Sequence, residues 1–450
     1  MIRVRSTCAG HFFPPTLFFN SLPFPAMDCD ILVIGAGIMG LSSAYHLKRL
    51  NPKKRVVLIE RLGAPGQGST AKSAGGFRDL LLSGTNRILA EATIDWFRHI
   101  QAETEHNLKM HNTTYLYLLG VTQYARRKPL FEEMEKVGLK LKTFSPKELK
   151  GHIPGLVIDF SGDEEAEMMG IESIEAGVQG INCGSVDTDS LSRCLEALFL
   201  GLGGEVHYGT TADRLLLGAR KALDIPGEPF VWQKALVKGA ETSLGEIRAM
   251  TTVVAAGVWS ERLLDPIGFD SMMRPKKRCM YVLKDPRLKR LLYTRGFNSD
   301  KVLPVTQIPD AGVYLKGDLS EGSIWVGVTE DLGREYRLED DPQAEEETYS
   351  GNAYHALVKY LPSFEGVRPV NMWAGQRAVN GFDKIPVVEG MPGLIYVGAA
   401  TGNGIMKCDS LGRIVAAYYA GAKDAKLYGE RRVRVSDISV KNRRVEKERF

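Results

Sequence analysis

Residues 30–78 constrain the fold more than any other part of the chain. They open with an apolar run, residues 31–34, which is typical of a short strand buried in a parallel sheet. The turn Gly35-Ala36-Gly37-Ile38-Met39-Gly40 follows, and a helical run then extends to Leu50. Glycines so placed permit a tight turn, the approach of a pyrophosphate to the backbone, and close packing of helix on sheet. The helix N-terminus would offer its N–H groups to the phosphates.

A second apolar strand, predicted for residues 55–59, ends in Glu60, which lies 20 residues after Gly40. A dinucleotide-binding fold places there the acid that bonds a ribose hydroxyl. Strand, glycine turn, helix, strand and acid in this order are much stronger evidence than the glycines alone. Arg61 beside Glu60 is compatible with a nucleotide 2′-phosphate, but the acid would repel one. The pattern therefore favours a dinucleotide without that phosphate.

The loop at residues 66–78 gives an indication of the shape of the ligand. Most of its residues are small, hydroxyl-bearing or glycine, and it ends in Arg78. Such a loop suits a backbone laid against a long flat ligand, although an ordinary surface loop has a similar composition. The candidate contacts in it are Gly68, Ser69, Thr70, Ser73, Gly75, Gly76 and Arg78.

Composition excludes several classes of function. The net charge of +4, from 58 basic and 54 acidic residues, favours neither nucleic acid nor an acidic membrane as a partner. The six cysteines show no metal-ligand spacing and the eight histidines are scattered, so we expect no metal site. No apolar run is long enough to span a bilayer. We expect a reducing, cytoplasmic compartment, with a peripheral position on a membrane as the alternative.

Three later segments carry further motifs, and two of them repeat the combination of a strand followed by small residues. Residues 246–254 form a predicted strand that leads into Ala255-Ala256-Gly257-Val258-Trp259. Residues 394–397 form another, which leads into Thr401-Gly402-Asn403-Gly404-Ile405-Met406-Lys407 and then a helix. Between them lies the run Trp373-Ala374-Gly375-Gln376-Arg377, with Asp383 and Pro386 beyond it.

Together these motifs resemble the FAD-dependent D-amino-acid oxidase-like family, which includes glycine oxidase, sarcosine oxidase and dye-linked proline dehydrogenases. The resemblance covers about residues 28–430 and rests on five separated motifs in the family's order. It implies an α/β fold in which an antiparallel-sheet α+β substrate domain is inserted into an FAD-binding Rossmann-like domain. We expect the FAD-binding domain at residues 28–110, 186–268 and 384–430, and the substrate domain at 111–185 and 269–383.

The resemblance also assigns roles to residues. The expected FAD contacts are Gly35, Gly37, Met39, Gly40, Glu60, Arg61, Gly68, Ser69, Thr70, Ser73, Gly75, Gly76, Ala212, Ala256, Gly257, Trp259, Gly375, Gly402, Asn403, Gly404 and Ile405. Arg377 is the expected cation for a substrate carboxylate. Arg78 is the other candidate for this role, and the alternative for Arg377 is a purely structural ion pair. Met406 and Lys407 are the remaining candidates at the reacting centre. Relatives read Ser-Gly-His-Gly-Phe-Lys at residues 401–406, so the lysine here stands one place late.

The implied reaction is oxidation of a small amino acid or N-substituted amino acid, of glycine, sarcosine or proline type, by hydride transfer to non-covalently bound FAD. Monomeric sarcosine oxidases place an oxygen-activating lysine where this chain has Thr329-Glu330-Asp331. We therefore expect a dehydrogenase that passes electrons to a quinone, a dye or a protein. The alternatives are a 2-hydroxy-acid or glycerol-3-phosphate dehydrogenase on the same fold, and a flavin subunit of a larger complex. A homo-oligomer is left open.

The two ends of the chain differ from the rest. Residues 1–27 contain no acidic residue and many aromatic and proline residues, and we expect a disordered or non-native extension. Residues 431–450 are basic with interspersed acids, and we expect a solvated tail. Arg449-Phe450 resembles an ending that folds back near the active site in some relatives.

Overall fold

The computed structural model describes residues 27–309, 312–329, 333–441 and 443–446. Residues 1–26 of the expected N-terminal extension and the Arg449-Phe450 ending lie outside this range. Met27 lies inside it and already belongs to the first strand, where it pairs with Ile247. The extension predicted for residues 1–27 therefore ends at least one residue earlier.

The described residues form strands and helices in an alternating order that is broken by runs of strands. The strands are β1 (Met27–Ile34), β2 (Val56–Ile59), β3 (Gly76–Arg78), β4 (Tyr115–Gly120), β5 (Leu141–Phe144), β6 (Ile174–Gly180), β7 (Cys183–Ser185), β8 (Glu205–His207), β9 (Ala212–Ala219), β10 (Ala235–Thr242), β11 (Gly245–Val254), β12 (Arg274–Leu283), β13 (Val305–Gln307), β14 (Val313–Asp318), β15 (Ser323–Val328), β16 (Asn371–Val379), β17 (Val387–Met391), β18 (Leu394–Gly398), β19 (Asp424–Lys426) and β20 (Arg432–Arg434). The α-helices are α1 (Ile38–Leu50), α2 (Gly84–Glu103), α3 (Val121–Lys136), α4 (Pro146–His152), α5 (Glu164–Met168), α6 (Thr188–Gly201), α7 (Ser260–Leu264), α8 (Lys289–Leu292), α9 (Glu346–Thr348), α10 (Tyr354–Tyr360) and α11 (Cys408–Tyr419).

The first large sheet has the strand order β17-β18-β11-β1-β2-β8, with β10 and β9 attached beside β11. Strands β18, β11, β1, β2 and β8 run parallel, as expected for a dinucleotide-binding sheet. Residues 31–34 of β1 are at most 5% exposed because the sheet is covered on both faces. Helix α1 packs on α11 so closely that a Cβ at Gly412 would lie 2.2 Å from the Ser42 hydroxyl oxygen.

The second large sheet has the order β16-β12-β15-β14-β13-β4-β6-β5. Its pairs are antiparallel except for β13 with β4, which are parallel. Its strands come from residues 115–180 and 274–379, whereas those of the first sheet come from 27–59, 205–254 and 387–398. This separation supports the proposed division into two discontinuous domains.

Part of a polar segment is buried beside the second sheet. Residues 139–154 contain many polar side chains, yet β5 and α4 lie there and bury Phe144, Leu149 and Ile153. These side chains join the apolar cluster beneath the sheet. No helix among the described residues has the length and apolar character needed to cross a membrane.

The prediction of a solvated tail after residue 430 is wrong for its described part. Strand β20 pairs with β19, and Ile438 is fully buried. Arg443 is 8% exposed as a residue. Its guanidinium lies 2.8 Å from the Asp383 carboxylate and donates to the Pro386 carbonyl at 2.8 Å. The Glu446 carboxylate accepts from the backbone N–H groups of Gly84 and Thr85 at the start of α2. The many charged residues of this segment predicted contact with solvent, but Arg443 and Glu446 bind partners within the protein.

We expect Arg443→Met to destabilise the protein by about 3–5 kcal/mol, because it leaves the Asp383 carboxylate buried without its cation. The measurement is urea unfolding of the flavin-loaded protein, followed by circular dichroism. Arg444→Met is the matched control, since Arg444 is the neighbouring residue and is exposed. Equal midpoints for the two variants would show that the buried pair contributes nothing to stability.

Candidate active site

A cavity of about 620 Å³ lies between the two large sheets. The carboxyl ends of β1, β2, β11 and β18 form one side of it, and a face of the second sheet forms the other. Ligands of open parallel sheets bind outside the carboxyl ends of the strands. The topology thus places the cavity where a dinucleotide site is expected.

One end of the cavity is built by a close approach of two loops. Gly35 has a φ of +104°, and a Cβ added to it would lie 2.7 Å from the Ala255 carbonyl oxygen. Only glycine fits such a position, since both the φ and the contact exclude a side chain. Helix α1 starts at Ile38, and its N-cap residue Gly37 provides no side-chain cap. The start of α1 lines the cavity at Gly37, Ile38 and Met39, where the Ile38 N–H donates to the Thr70 hydroxyl at 3.1 Å. A helix N-terminus in this position suits a phosphate group.

Glu60 and Arg61 line the cavity beside this helix start. The Glu60 carboxylate accepts hydrogen bonds from the backbone N–H groups of Ala36 at 2.7 Å and Leu62 at 3.0 Å. Arg61 stacks 4.3 Å from the Trp259 ring centroid, and both Arg61 and Arg262 bond to Asp340. Asp340 therefore occupies the two guanidinium groups that line this end of the cavity, which makes them less available to a nucleotide 2′-phosphate.

The loop at residues 66–78 crosses the middle of the cavity and is held by the second sheet. The Trp373 indole N–H donates to the Lys72 carbonyl at 3.1 Å, and the Lys316 ammonium donates to the Ala74 carbonyl at 2.8 Å. A Cβ at Gly375 would lie 2.6 Å from Lys72 Cβ. The glycine in the Trp-Ala-Gly-x-Arg run is therefore needed so that this loop can lie against β16.

At the other end of the cavity, the loop that precedes α11 contacts β16. Gly402 has a φ of +75°, and a Cβ there would lie 2.3 Å from the Arg377 Nε atom. The Arg78 backbone N–H meets the Met406 sulfur at 3.3 Å. The structure thus brings Arg377, Arg78, Gly402 and Met406 to one end of the cavity, although they come from three distant parts of the chain.

Most of the residues predicted for the site line the cavity. These are Gly35, Gly37, Met39, Glu60, Arg61, Gly68, Ser69, Thr70, Ser73, Gly76, Arg78, Ala212, Ala256, Gly257, Trp259, Gly375, Arg377, Gly402, Asn403, Gly404, Ile405 and Met406. Gly40, Gly75 and Lys407 are not among the described lining residues.

Each of these three residues has a structural reason for its position. A Cβ at Gly40 would lie 1.8 Å from the Gly35 carbonyl oxygen, and one at Gly75 would lie 2.1 Å from the Val186 carbonyl oxygen. Both glycines therefore serve backbone packing. Lys407 is fully buried and donates to the Asn86 side-chain oxygen at 2.7 Å. Its shift by one place turns the side chain towards α2, and the expected substrate contact is absent from this structure.

Sequence reasoning missed several polar residues that the second sheet and α3 contribute. They are Tyr115, Tyr117, Arg127, Arg278, Gln307, Tyr314 and Lys316. Tyr115 and Tyr117 alternate along β4 and thus share one face, a pattern that was visible in the sequence. Lys316 interrupts the apolar strand β14, which was also visible. Their convergence on one cavity depends on the strand order, which the sequence does not display.

Burial changes the proton affinity of two of these groups. It lowers the pKa of the Lys316 ammonium to about 8, and the Trp325 ring lies 4.4 Å from that ammonium. Burial raises the pKa of Tyr115, while the cations Arg78, Arg377 and Arg127 act in the opposite direction. The tyrosine therefore stays protonated, and Lys316 is partly neutral in mildly alkaline solution.

The lining residues suit FAD. The Ser69 hydroxyl and the Trp259 indole N–H are buried without a hydrogen-bond partner within the described structure, and both residues line the cavity. A dinucleotide along this wall would supply partners for them. The described residues contain no cluster of three or more His, Cys, Asp or Glu side chains able to hold a metal ion.

Comparison with known proteins also indicates an FAD-binding protein. The DAO family, described as FAD dependent oxidoreductase, matches residues 30–418. FAD-dependent oxidoreductase domain-containing protein 1 from Bos taurus is 23% identical over 442 residues, which cover 92% of this chain and 85% of that protein. Glycine oxidase from Pseudomonas aeruginosa is 25% identical over 409 residues, which cover 88% of this chain and 96% of that protein.

Solved structures confirm the predicted fold class. L-proline dehydrogenase from P. horikoshii aligns with a TM-score of 0.68 at 20% identity, covering 88% of this chain and 94% of that one. Since the matched family spans most of the chain and depends on FAD, the predicted cofactor is confirmed as well. The chain belongs to the DAO family of FAD-dependent oxidoreductases, and it is an enzyme.

Proposed function

We propose that this flavoenzyme oxidises a small amino acid or N-substituted amino acid at the carbon that bears the nitrogen. The observation that carries the proposal is the position of Arg377. Its guanidinium lies against the Gly402 backbone, at the junction of the second sheet with the loop that precedes α11. A fixed guanidinium can bind a carboxylate through two parallel hydrogen bonds, which orients the neighbouring carbon.

The bound cofactor supplies hydride acceptance, and the chain supplies position and environment. Arg377 orients the substrate carboxylate. The half-buried Tyr115 and Tyr314 restrict water at this end of the cavity, which strengthens polar contacts inside it. Gly68, Ser69 and Thr70, which line the cavity, would hold the dinucleotide. Lys316, whose pKa is about 8, can accept the proton that the substrate nitrogen must release.

A second candidate is oxidation of a 2-hydroxy acid, which needs a base for the hydroxyl proton. None of the described lining residues is a histidine, which favours amines. Lys316 keeps the alternative open because its lowered pKa makes it a base. Paired amino and hydroxy acids of equal length, tested with an artificial electron acceptor, separate the two candidates.

Arg377→Met should raise the half-saturation concentration of a carboxylate substrate about tenfold to a thousandfold, because about 1.4–4 kcal/mol of charged hydrogen bonding is lost. The flavin spectrum should stay nearly unchanged. The measurement is steady-state kinetics with a dye acceptor, together with the absorbance of bound flavin.

Arg377→Lys is the matched control, and it should recover only part of the loss because lysine lacks the planar fork. Amines without a carboxylate should respond far less to either change. Loss of FAD from Arg377→Met, or unaltered turnover of carboxylate substrates, would make Arg377 a structural residue.

We expect FAD to be held without a covalent bond. Relatives that tether the flavin use a histidine in the first loop or a cysteine shortly before the last core strand. Here residues 66–78 contain no histidine and residues 371–393 contain no cysteine. Acid precipitation should therefore release the yellow colour into the supernatant, and a yellow pellet would contradict this.

We further expect a dehydrogenase. Residues 329–331 contain no lysine, but β14 places Lys316 in the cavity, directly across from Trp325. Its ammonium is engaged by the Ala74 carbonyl and the Trp325 ring, so we expect slow reduction of oxygen. Dye reduction and hydrogen peroxide formation should be measured side by side. Peroxide formed as fast as the dye is reduced would make the protein an oxidase. A lower ratio of peroxide formation to dye reduction in Lys316→Met would then assign oxygen reduction to Lys316.

A further inference from the structure

A long loop leaves the first large sheet at a distance from the cavity. Residues 220–234, all of which the structure describes, join β9 to β10 without a helix or strand. Ala212 at the start of β9 lines the cavity, whereas the loop follows the end of that strand. The strand has 8 residues, so the loop begins roughly 24 Å from Ala212 at about 3.4 Å per residue. None of residues 220–234 is among the described lining residues, so the site does not account for this loop.

Four large apolar side chains of the loop face solvent. Val231 is 100% exposed and Trp232 is 73% exposed, while Leu223 and Ile225 are each more than half exposed. The Trp232 ring stacks on Phe230, with 4.9 Å between the ring centroids. Single exposed apolar side chains are common on proteins, but a cluster of this kind marks an interaction surface.

The loop is held in shape by its own polar groups. The Glu228 carboxylate accepts from the Leu223 backbone N–H at 2.7 Å and from the Gln233 amide at 2.6 Å. At the base of the loop, the Arg220 N–H donates to the Lys234 carbonyl at 2.7 Å. A loop of more than about 12 residues is uncommon in a compact domain unless it is functional or disordered. These bonds favour a function, because they present the apolar side chains in a fixed arrangement.

The surroundings of the apolar cluster are basic. Residues 220–238 contain two acids, Asp224 and Glu228, and the second is engaged within the loop. Four exposed cations lie in the same segment: Arg220, Lys221, Lys234 and Lys238. The small net charge of the whole chain therefore conceals a local positive excess beside the exposed apolar side chains.

We propose that the loop at residues 220–234 docks the enzyme on an anionic lipid bilayer. Val231 and Trp232 enter the boundary between headgroups and acyl chains, which stabilises apolar side chains and an indole ring alike. The cations at the base of the loop then lie beside the anionic headgroups, which attract them. A protein partner fits less well, since lysines are depleted at protein interfaces. This docking is independent of the substrate and of the role of Arg377.

The test is flotation of the flavin-loaded full chain with vesicles of phosphatidylcholine, alone or with added phosphatidylglycerol. We expect binding at least about tenfold tighter when phosphatidylglycerol is present, and weaker binding as the salt concentration rises. Val231→Ser combined with Trp232→Ser should weaken binding about tenfold or more, because two apolar side chains no longer enter the bilayer. The flavin spectrum and dye reduction in solution should stay unchanged, since the loop lies outside the cavity.

Matched controls come from exposed residues beside the second sheet. Met168→Ser removes an exposed apolar side chain on α5 and should leave binding unchanged. Lys221→Gln combined with Lys234→Gln should weaken binding to the anionic vesicles about tenfold or more. The same pair of changes at two exposed lysines of α4, Lys147 and Lys150, should have no such effect.

A second measurement reports whether the loop enters the bilayer. Phospholipids brominated in their acyl chains should quench part of the tryptophan fluorescence of the bound wild type. Trp232→Phe should bind nearly as tightly, because phenylalanine is also apolar and aromatic, and it should lose the quenched part of the fluorescence.

Three results would overturn the proposal. The first is no binding to either kind of vesicle. The second is binding that the loop variants and their controls alter equally. The third is a self-associated form in lipid-free solution, seen by analytical sedimentation, that the Val231→Ser and Trp232→Ser changes abolish; it would assign the loop to contacts between copies of this chain.

Discussion

The contact between Gly35 and the Ala255 carbonyl is the constraint on which the rest of the structure depends. It brings the ends of β1 and β11 so close that a Cβ at residue 35 would lie 2.7 Å from that carbonyl oxygen. The φ of +104° at Gly35 then turns the chain into α1 without a side-chain cap. A helix N-terminus, the acid Glu60 and the Ala256-Gly257 step thus share one edge of the parallel sheet, and only a glycine at residue 35 allows it.

The second sheet reaches this edge through two further glycine contacts. Gly375 lets the backbone of Lys72 lie against β16, and Gly402 lets the Arg377 guanidinium lie against the last loop. Trp373 adds a hydrogen bond to the Lys72 carbonyl. The loop at residues 66–78, which we propose lies against the flavin ring, is therefore held in place by β16 and β14 of the second sheet. Such fixation lowers the loss of entropy on binding and orients the reacting groups.

Most of the correct predictions came from patterns that extend over only a few neighbouring residues. Residues 31–60 could be assigned because each element is short, continuous in sequence and bounded by glycine, and the glycine motifs mark where backbone and ligand meet. What failed depends on distant partners. Arg443 belongs to a basic segment, but Asp383, 60 positions earlier, pairs with it in the interior. Lys407 and Lys316 show the same limit, since a shift of one residue or a neighbouring strand decides which lysine faces the cavity.

Lys316 also shows how the site couples charge to binding. Its pKa in the folded chain is about 8, below the ordinary value of 10.5, so the folded state disfavours the proton. The sign follows directly: below about pH 8 this lysine reduces stability by ~3 kcal/mol, and the penalty fades as the pH rises towards 10.5. An anion that binds beside the Lys316 ammonium would offset this penalty. An anionic substrate would therefore raise the pKa of Lys316, and its binding would be accompanied by uptake of a proton above pH 8.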